Sequence, residues 1–302
     1  MKPFTIAIDT SFDLPEGYIE KHGIEVMPIP FMLDGIDHNM GYWQEITGKE
    51  FYDALRNGGE AKTSQINPDS FVNVFTEYAK KGEDAVFIIL SSALSATYQS
   101  SLIALTEVKE EYPECNIHSV DSIGATALNG LLAILTVNKR DEGFTAEETA
   151  AWLNEKKNSV FGMLTVDDLM YLHRGGRLSK LSAVGGSLLG IKPVINIGPG
   201  GSLALKDKVR GRESALKFMV SKMMQSLAPD TALDTVLISH TDCEDDAKKL
   251  AEIVRDNVSV KQIEVMMMGP VIGAHTGPGS VALVFEADMT RAEYERKYYS
   301  KR

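Results

Sequence analysis

The run Ala85-Val-Phe-Ile-Ile-Leu90 constrains this chain more than any other stretch. An unbroken apolar run of this length, rich in branched and aromatic side chains, reads as a strand buried on both faces, the habit of parallel sheets covered by helices. Hydroxyls follow at once, at Ser91, Ser92, Ser95 and Thr97. A helix beginning near Ser95 or Thr97 sets them beside unpaired backbone N–H groups and the positive end of a helix dipole, a seat for an anion. Ligands of open α/β sheets bind beyond the carboxyl ends of the strands. Two further segments deliver polar groups to such an end: Thr5 to Ile8 runs into Asp9-Thr10-Ser11, and Asn116 to Val120 runs into Asp121-Ser122.

The rest of the first half alternates strand and helix, the pattern of a mostly parallel sheet. Glu25 to Met32 reads as one extended segment interrupted by Pro28 and Pro30. Thr47 with Glu50, and Thr145 with Glu148, have capping-box spacing, and Asn67-Pro68 reads as an N-cap followed by proline in the first turn. A long helix is expected from about Ala125 to Lys139. After Val160 to Val166 come Tyr171-Leu-His-Arg-Gly-Gly-Arg177 and an apolar, glycine-dotted segment through Gly190. Gly198-Pro-Gly-Gly201 reads as a hairpin between Lys192–Ile197 and Ser202–Val209. Strands are expected at Thr235 to Ser239, Glu264 to Met268 and Ser280 to Phe285, with Gly269 to Gly279 as a glycine-rich loop before the last. At 302 residues two domains are the natural expectation, 1–158 and 159–302.

Composition narrows the function. A net charge of −11 argues against nucleic acid, which is held by clustered Lys and Arg. Cys115 and Cys243 lie far apart and outside any CxxC spacing, so neither a disulfide framework nor a thiolate metal site is indicated, and a reducing, cytoplasmic setting fits. No stretch approaches the roughly 18 to 20 apolar residues of a membrane span. No phosphate-binding GxxxxGK[ST] loop is present, and no metal or cofactor is called for.

Taken in order, Asp9-Thr-Ser11, Thr63-Ser-Gln65, Ser91-Ser-Ala-Leu-Ser-Ala-Thr-Tyr-Gln-Ser100, Val120-Asp-Ser122, Tyr171-Leu-His-Arg-Gly-Gly-Arg177, Lys208-Val-Arg-Gly211 and Gly269-Pro-Val-Ile-Gly-Ala-His-Thr-Gly-Pro-Gly279 resemble the DegV family. These are bacterial fatty-acid-binding proteins that include the binding subunits of fatty acid kinase. The resemblance implies two α/β domains with a long-chain fatty acid between them, its tail in an apolar tunnel and its carboxylate fixed by Thr63 and Ser95. It places Arg174 and His275 at the same head group, with Ser64, Ser92 and Thr276 as weaker neighbours. It further implies a carrier rather than an enzyme, docked through Arg210 by a separate kinase subunit, with transient membrane contact. Ala96 stands where the family usually has glycine, and Ile66 where it often has proline.

The residues also support plainer readings. Two hydroxyls meet part of the cost of desolvating a carboxylate, and a cation nearby, Arg174 or protonated His275, would strengthen those bonds. Taken alone, Ser95 is an N-cap, Thr63-Ser64 a loop before a helix, Arg174 and Arg177 surface ion-pair elements, and His275 a loop histidine. Asp9 is expected to organise its own loop, and Asp121 to cap a helix after Gly124. Lys206, Lys208, Arg210 and Arg212 are either solvated charges on a strand or a docking surface. The rival function is a serine-dependent acyl hydrolase or transferase using Ser95 and His275, for which no GxSxG elbow is present.

Overall fold

The computed structural model describes residues 4–40, 43–178 and 190–300. The glycine-dotted segment expected before Gly190 lies largely outside them. The first half runs β1 (Thr5–Asp9), α1 (Tyr18–His22), β2 (Glu25–Met27), β3 (Phe31–Leu33), β4 (Ile36–His38), α2 (Gly48–Arg56), β5 (Ala61–Thr63), α3 (Pro68–Lys81) and β6 (Ala85–Ile89). It continues through α4 (Thr97–Glu111), β7 (Ile117–Asp121), α5 (Ala127–Asp141) and α6 (Ala146–Lys156). The second half comprises β8 (Val160–Thr165), α7 (Met170–Arg174), β9 (Ile191–Ile197), β10 (Leu203–Arg210), α8 (Arg212–Ser226) and β11 (Ala232–His240). It ends with α9 (Glu244–Asn257), β12 (Ser259–Met267), α10 (Pro270–Thr276), β13 (Val281–Glu286) and α11 (Arg291–Tyr298).

The architecture is α/β. Strands β2-β1-β6-β7 form a wholly parallel sheet. Strand β6 is buried throughout, as its apolar run requires. One face is covered by α3 and α4, where Phe71, Phe75 and Tyr78 pack on Phe87 and Ile89. Strands β10-β9-β8-β13-β11-β12 form a second, mixed sheet whose outer face carries α8 and α9 through Met219, Met223, Leu250 and Val254. Helix α5 lies between the sheets. Its Leu128, Leu131 and Leu132 share one core with Ile6, Ile8 and Val86 of the first sheet and with Leu237 and Val284 of the second. Gly130 permits that closeness, since a Cβ there would fall 1.9 Å from the Asp13 carbonyl oxygen.

The local end signals act as expected. Thr47 with Glu50, and Thr145 with Glu148, form reciprocal capping boxes, and Asn67 caps α3 ahead of Pro68. Gly198 to Gly201 turns between β9 and β10, which pair antiparallel. Three expectations need correction. Glu25 to Met32 is not one strand: Pro28-Ile29-Pro30 divides it, sending β2 to the parallel sheet and β3 to a separate sheet of order β4-β3-β5. Gly269 to Gly279 is not a loop throughout, because α10 opens at Pro270, where a missing N–H is harmless. Asp121 does not cap α5; its carboxylate accepts hydrogen bonds from Ser92 N, Ser92 Oγ and Ile123 N.

Candidate functional site

In the parallel sheet β1 is flanked by β2 on one side and β6 on the other, so the chain reverses its winding direction between β1 and β6. This is the kind of crevice where open sheets take ligands. Asp9 organises it, with Oδ1 accepting from Ser11 N at 2.8 Å and Oδ2 from Leu90 N at 2.8 Å. Burial outweighs these bonds and raises the Asp9 carboxyl above its ordinary range.

Beyond the β6 end lies a cavity of about 240 Å³ between the two sheets. Its apolar wall comes from both halves: Ile29, Leu90, Leu94 and Ala125 from one, and Leu164, Ile197, Leu203, Met268 and Val271 from the other. Thr63, Ser64, Gln65, Ser95, Arg177, His275 and Thr276 supply its polar lining. Pairing of β5 with β3 brings Thr63 over this region, and Thr63 Oγ1 lies 2.8 Å from His275 Nε2 at the end of α10. Sequence neighbours on neither side foretell that bond.

Ser95 immediately precedes Ala96, the N-cap of α4, and is not itself the cap residue. Its Oγ lies 2.9 Å from Thr97 Oγ1 and accepts from Thr97 N at 3.3 Å. Thr97 Oγ1 also accepts from Ile66 N at 3.3 Å, a bond that proline at 66 would lack the donor to make. Ala96 lines the cavity.

The arginine nearest this polar group is Arg177. It lines the cavity, donates from Nε to Leu94 O at 3.1 Å and from Nη1 to Gly175 O. The turn ending α7 determines this. Gly176 has φ +71°, and both Arg177 N and Leu178 N fold back to Leu172 O at 3.0 and 3.2 Å. Arg174 is left exposed, its guanidinium carbon 4.9 Å from the centre of the Tyr171 ring. Gly175 keeps the turn tight against α10: a Cβ there would lie 2.4 Å from His275 Nδ1.

Burial, and then the Arg177 guanidinium, hold the His275 imidazole down to about 4. It is therefore neutral at pH 7, and the positive charge at the cavity belongs to Arg177. Ser95 and His275 each engage a different threonine, Thr97 and Thr63. Thr276 is buried, donating to Ile272 O at 3.2 Å, and Ser64 lines the cavity. Ser92 is held by Asp121 and does not line this cavity. In the basic cluster, Lys206 pairs with Glu295 at 2.6 Å and Arg212 with Asp246 at 2.7 Å, while Lys208 and Arg210 are exposed.

A second, more polar cavity of about 790 Å³ adjoins the first. The two share Thr63, Arg177 and His275, so the polar end of the apolar cavity is a wall of this vestibule. Arg56, Glu60, Lys62 and Arg174 line the vestibule alone.

Fold and site together define an α/β protein with an apolar cavity between its sheets that ends in hydroxyls, a neutral imidazole and a guanidinium. The chain belongs to the DegV family: the sequence model of that family, described as "uncharacterised protein, DegV family", matches residues 3–288. A DegV domain-containing protein of Clostridium perfringens is 38% identical over 288 residues, covering 95% of this chain and 99% of the relative. A Thermotoga maritima structure described as a DegV lipid-binding protein superposes with a TM-score of 0.83 at 27% identity, covering 95% of this chain and 99% of that one. A Thermus thermophilus DegV protein, described by its fatty acid binding, gives 0.84 at 26% identity, with coverage of 94% and 99%.

Proposed function

We propose that this chain binds a long-chain fatty acid, with its tail in the 240 Å³ cavity and its carboxylate at Thr63, Ser95 and His275 beside Arg177. The observation that carries the reading is an apolar cavity whose polar lining is gathered from β5, the β6–α4 loop, the turn after α7 and α10. A carboxylate removed from water needs donors and a compensating charge. Threonine and serine hydroxyls supply donors, the neutral imidazole supplies one in the appropriate tautomer, and Arg177 supplies the charge. The fatty acid binding described for the Thermus thermophilus relative supports the same reading.

The chain acts in this reading as a carrier in the cytoplasm, presenting the head group to the catalytic subunit of a separate fatty acid kinase that makes the acyl phosphate. The exposed Arg210, on β10, is offered as a contact for that partner. Among the described residues no helix is long and apolar enough to cross a membrane, and contact with a membrane surface would be transient.

Calorimetric titration of the delipidated chain with oleate tests the binding. Thr63→Val and Ser95→Ala should each weaken it about five- to tenfold, the value of one hydrogen bond of roughly 1 kcal/mol. Oleate that does not bind, or binds both variants as tightly as the parent, refutes the assignment.

A further inference from the structure

One buried charge takes no part in the site described above. Arg291, the first residue of α11, is 3% exposed, and main-chain carbonyls surround its guanidinium. Nη1 donates to Ile123 O at 2.9 Å and to Gly198 O at 3.0 Å, and Nη2 donates to Lys157 O at 2.9 Å. Those carbonyls belong to the β7–α5 loop, the β9–β10 turn and the turn before β8, so one side chain ties both halves of the chain to the hairpin. Burial lowers the guanidinium to about 10, which leaves it charged at pH 7. A buried charge is tolerated only while its partners stay in place. Moving Gly198 away therefore costs more than losing an ordinary neutral hydrogen bond. The capping box of Thr290 and Glu293 fixes the start of α11, and Tyr294 seats the helix edge-on against Phe161.

The hairpin that Arg291 holds is part of the cavity. Ile197 and Leu203, which flank its turn, are opposite each other on β9 and β10, and both line the apolar wall. On the other side of the turn Ser91 Oγ donates to Gly201 O at 3.1 Å. A Cβ on Gly201 would fall 2.1 Å from that Oγ and 2.9 Å from Ile123 Cα, so the turn sits directly on the segments that leave β6 and β7. None of the polar groups lining the cavity belongs to the hairpin. We propose that Arg291 is a positioning residue for the acyl tail: by holding the Gly198–Gly201 turn against the β7–α5 loop it fixes Ile197 and Leu203 as a rigid wall, and so sets how steeply affinity grows with chain length. The inference rests on the fatty-acid reading and concerns the tail alone. A wall that cannot give keeps each added methylene in close contact, whereas a gap of a fraction of an ångström forfeits much of that attraction.

The test titrates laurate, myristate, palmitate and stearate into the delipidated full chain and into an Arg291→Lys variant. Lysine keeps the positive charge but lacks the planar fork that reaches three carbonyls. Parent affinity should rise with each methylene, by up to about fourfold. In the variant that increment should shrink, so that stearate loses about tenfold or more while laurate loses less than about threefold. A protein that is merely less stable would lose affinity for all four acids by the same factor. Uniform losses, affinities within about twofold of the parent at every length, or a parent affinity that does not depend on length overturn the role of Arg291 and leave the fatty-acid reading standing. Failure of all four acids to bind the parent removes that reading and this inference together. Ser91→Ala decides the matter if the lysine variant does not fold, because it only removes the hydroxyl that holds Gly201 O. It should weaken stearate by about threefold and leave laurate unchanged, and an unchanged stearate affinity overturns the proposal.

Discussion

Replacing Arg177 with Gln should lower oleate affinity at pH 7 by about 10- to 100-fold, corresponding to the roughly 1.5–3 kcal/mol of a charge-assisted hydrogen bond. The effect follows from the proposed head-group seat. Because His275 is neutral, the positive charge at the cavity is that of Arg177, and its half-buried position strengthens its interaction with an anion. Loss of packing alone would also weaken binding, so a second readout is needed. Arg177 is one of two causes that depress His275, the larger being burial. The substitution should therefore raise the His275 pKa from about 4 part of the way to its ordinary value, measurable from the pH dependence of its imidazole proton shifts. Oleate affinity within twofold of the parent, with an unmoved His275 titration, would show that the guanidinium does not face the head group. Arg174→Gln, three residues back, should leave that titration unchanged.

The two arginines illustrate what the sequence discloses. Features determined by neighbours in the chain are legible: the capping boxes at Thr47 and Thr145, the Asn67 cap and the β9–β10 turn all depend on residues at most a few positions apart. The β6 run is legible because burial on both faces demands apolar side chains throughout. Choosing between Arg174 and Arg177 is different, because the decision lies in the backbone reversal at Gly176 and not in side-chain type. The small sheet is hidden because each of its strands has three residues, and β3 and β5 are joined only through a long excursion. Helix α10 is masked by its own composition. Gly273 reads as a helix breaker, yet its missing side chain admits Tyr52, whose hydroxyl would lie 2.3 Å from a Cβ there. The Thr63–His275 contact joins residues 212 positions apart, beyond the reach of any periodicity. Motif order, through the DegV resemblance, assigned both residues to one head group but did not foretell the bond between them.

A buried carboxyl and a half-buried imidazole near the cavity should give the lipid-free protein opposing pH dependences that largely offset one another. Asp13 accepts from Gly269 N at 2.8 Å, just ahead of α10, and from the hydroxyl of Thr126, which lies 2.7 Å from Ser239 Oγ. Burial pushes its carboxyl up from 3.8 to about 6, against the effect of these bonds. The native state thus retains a proton that the unfolded chain releases above pH 3.8, and acidification from pH 7 to 4 stabilises the fold through Asp13 by about 2 kcal/mol. His275 acts in the opposite sense. Its native pKa is about 4 against 6.5 unfolded, so over the same interval the unfolded chain takes up a proton that the native imidazole refuses, and stability falls by about 3 kcal/mol. Asp13→Asn keeps an oxygen for Gly269 N and a polar group for Thr126, but removes the first titration. The stability of that variant relative to the parent should decline by about 2 kcal/mol between pH 7 and 4 in urea unfolding. His275→Gln removes the second titration and should show the reverse trend, gaining on the parent as the pH falls. Parallel stability profiles for the parent and both variants would mean that neither group is held as the structure places it. Taking differences against the parent at each pH cancels the other titrating groups common to all three proteins, so the opposite signs are the diagnostic result.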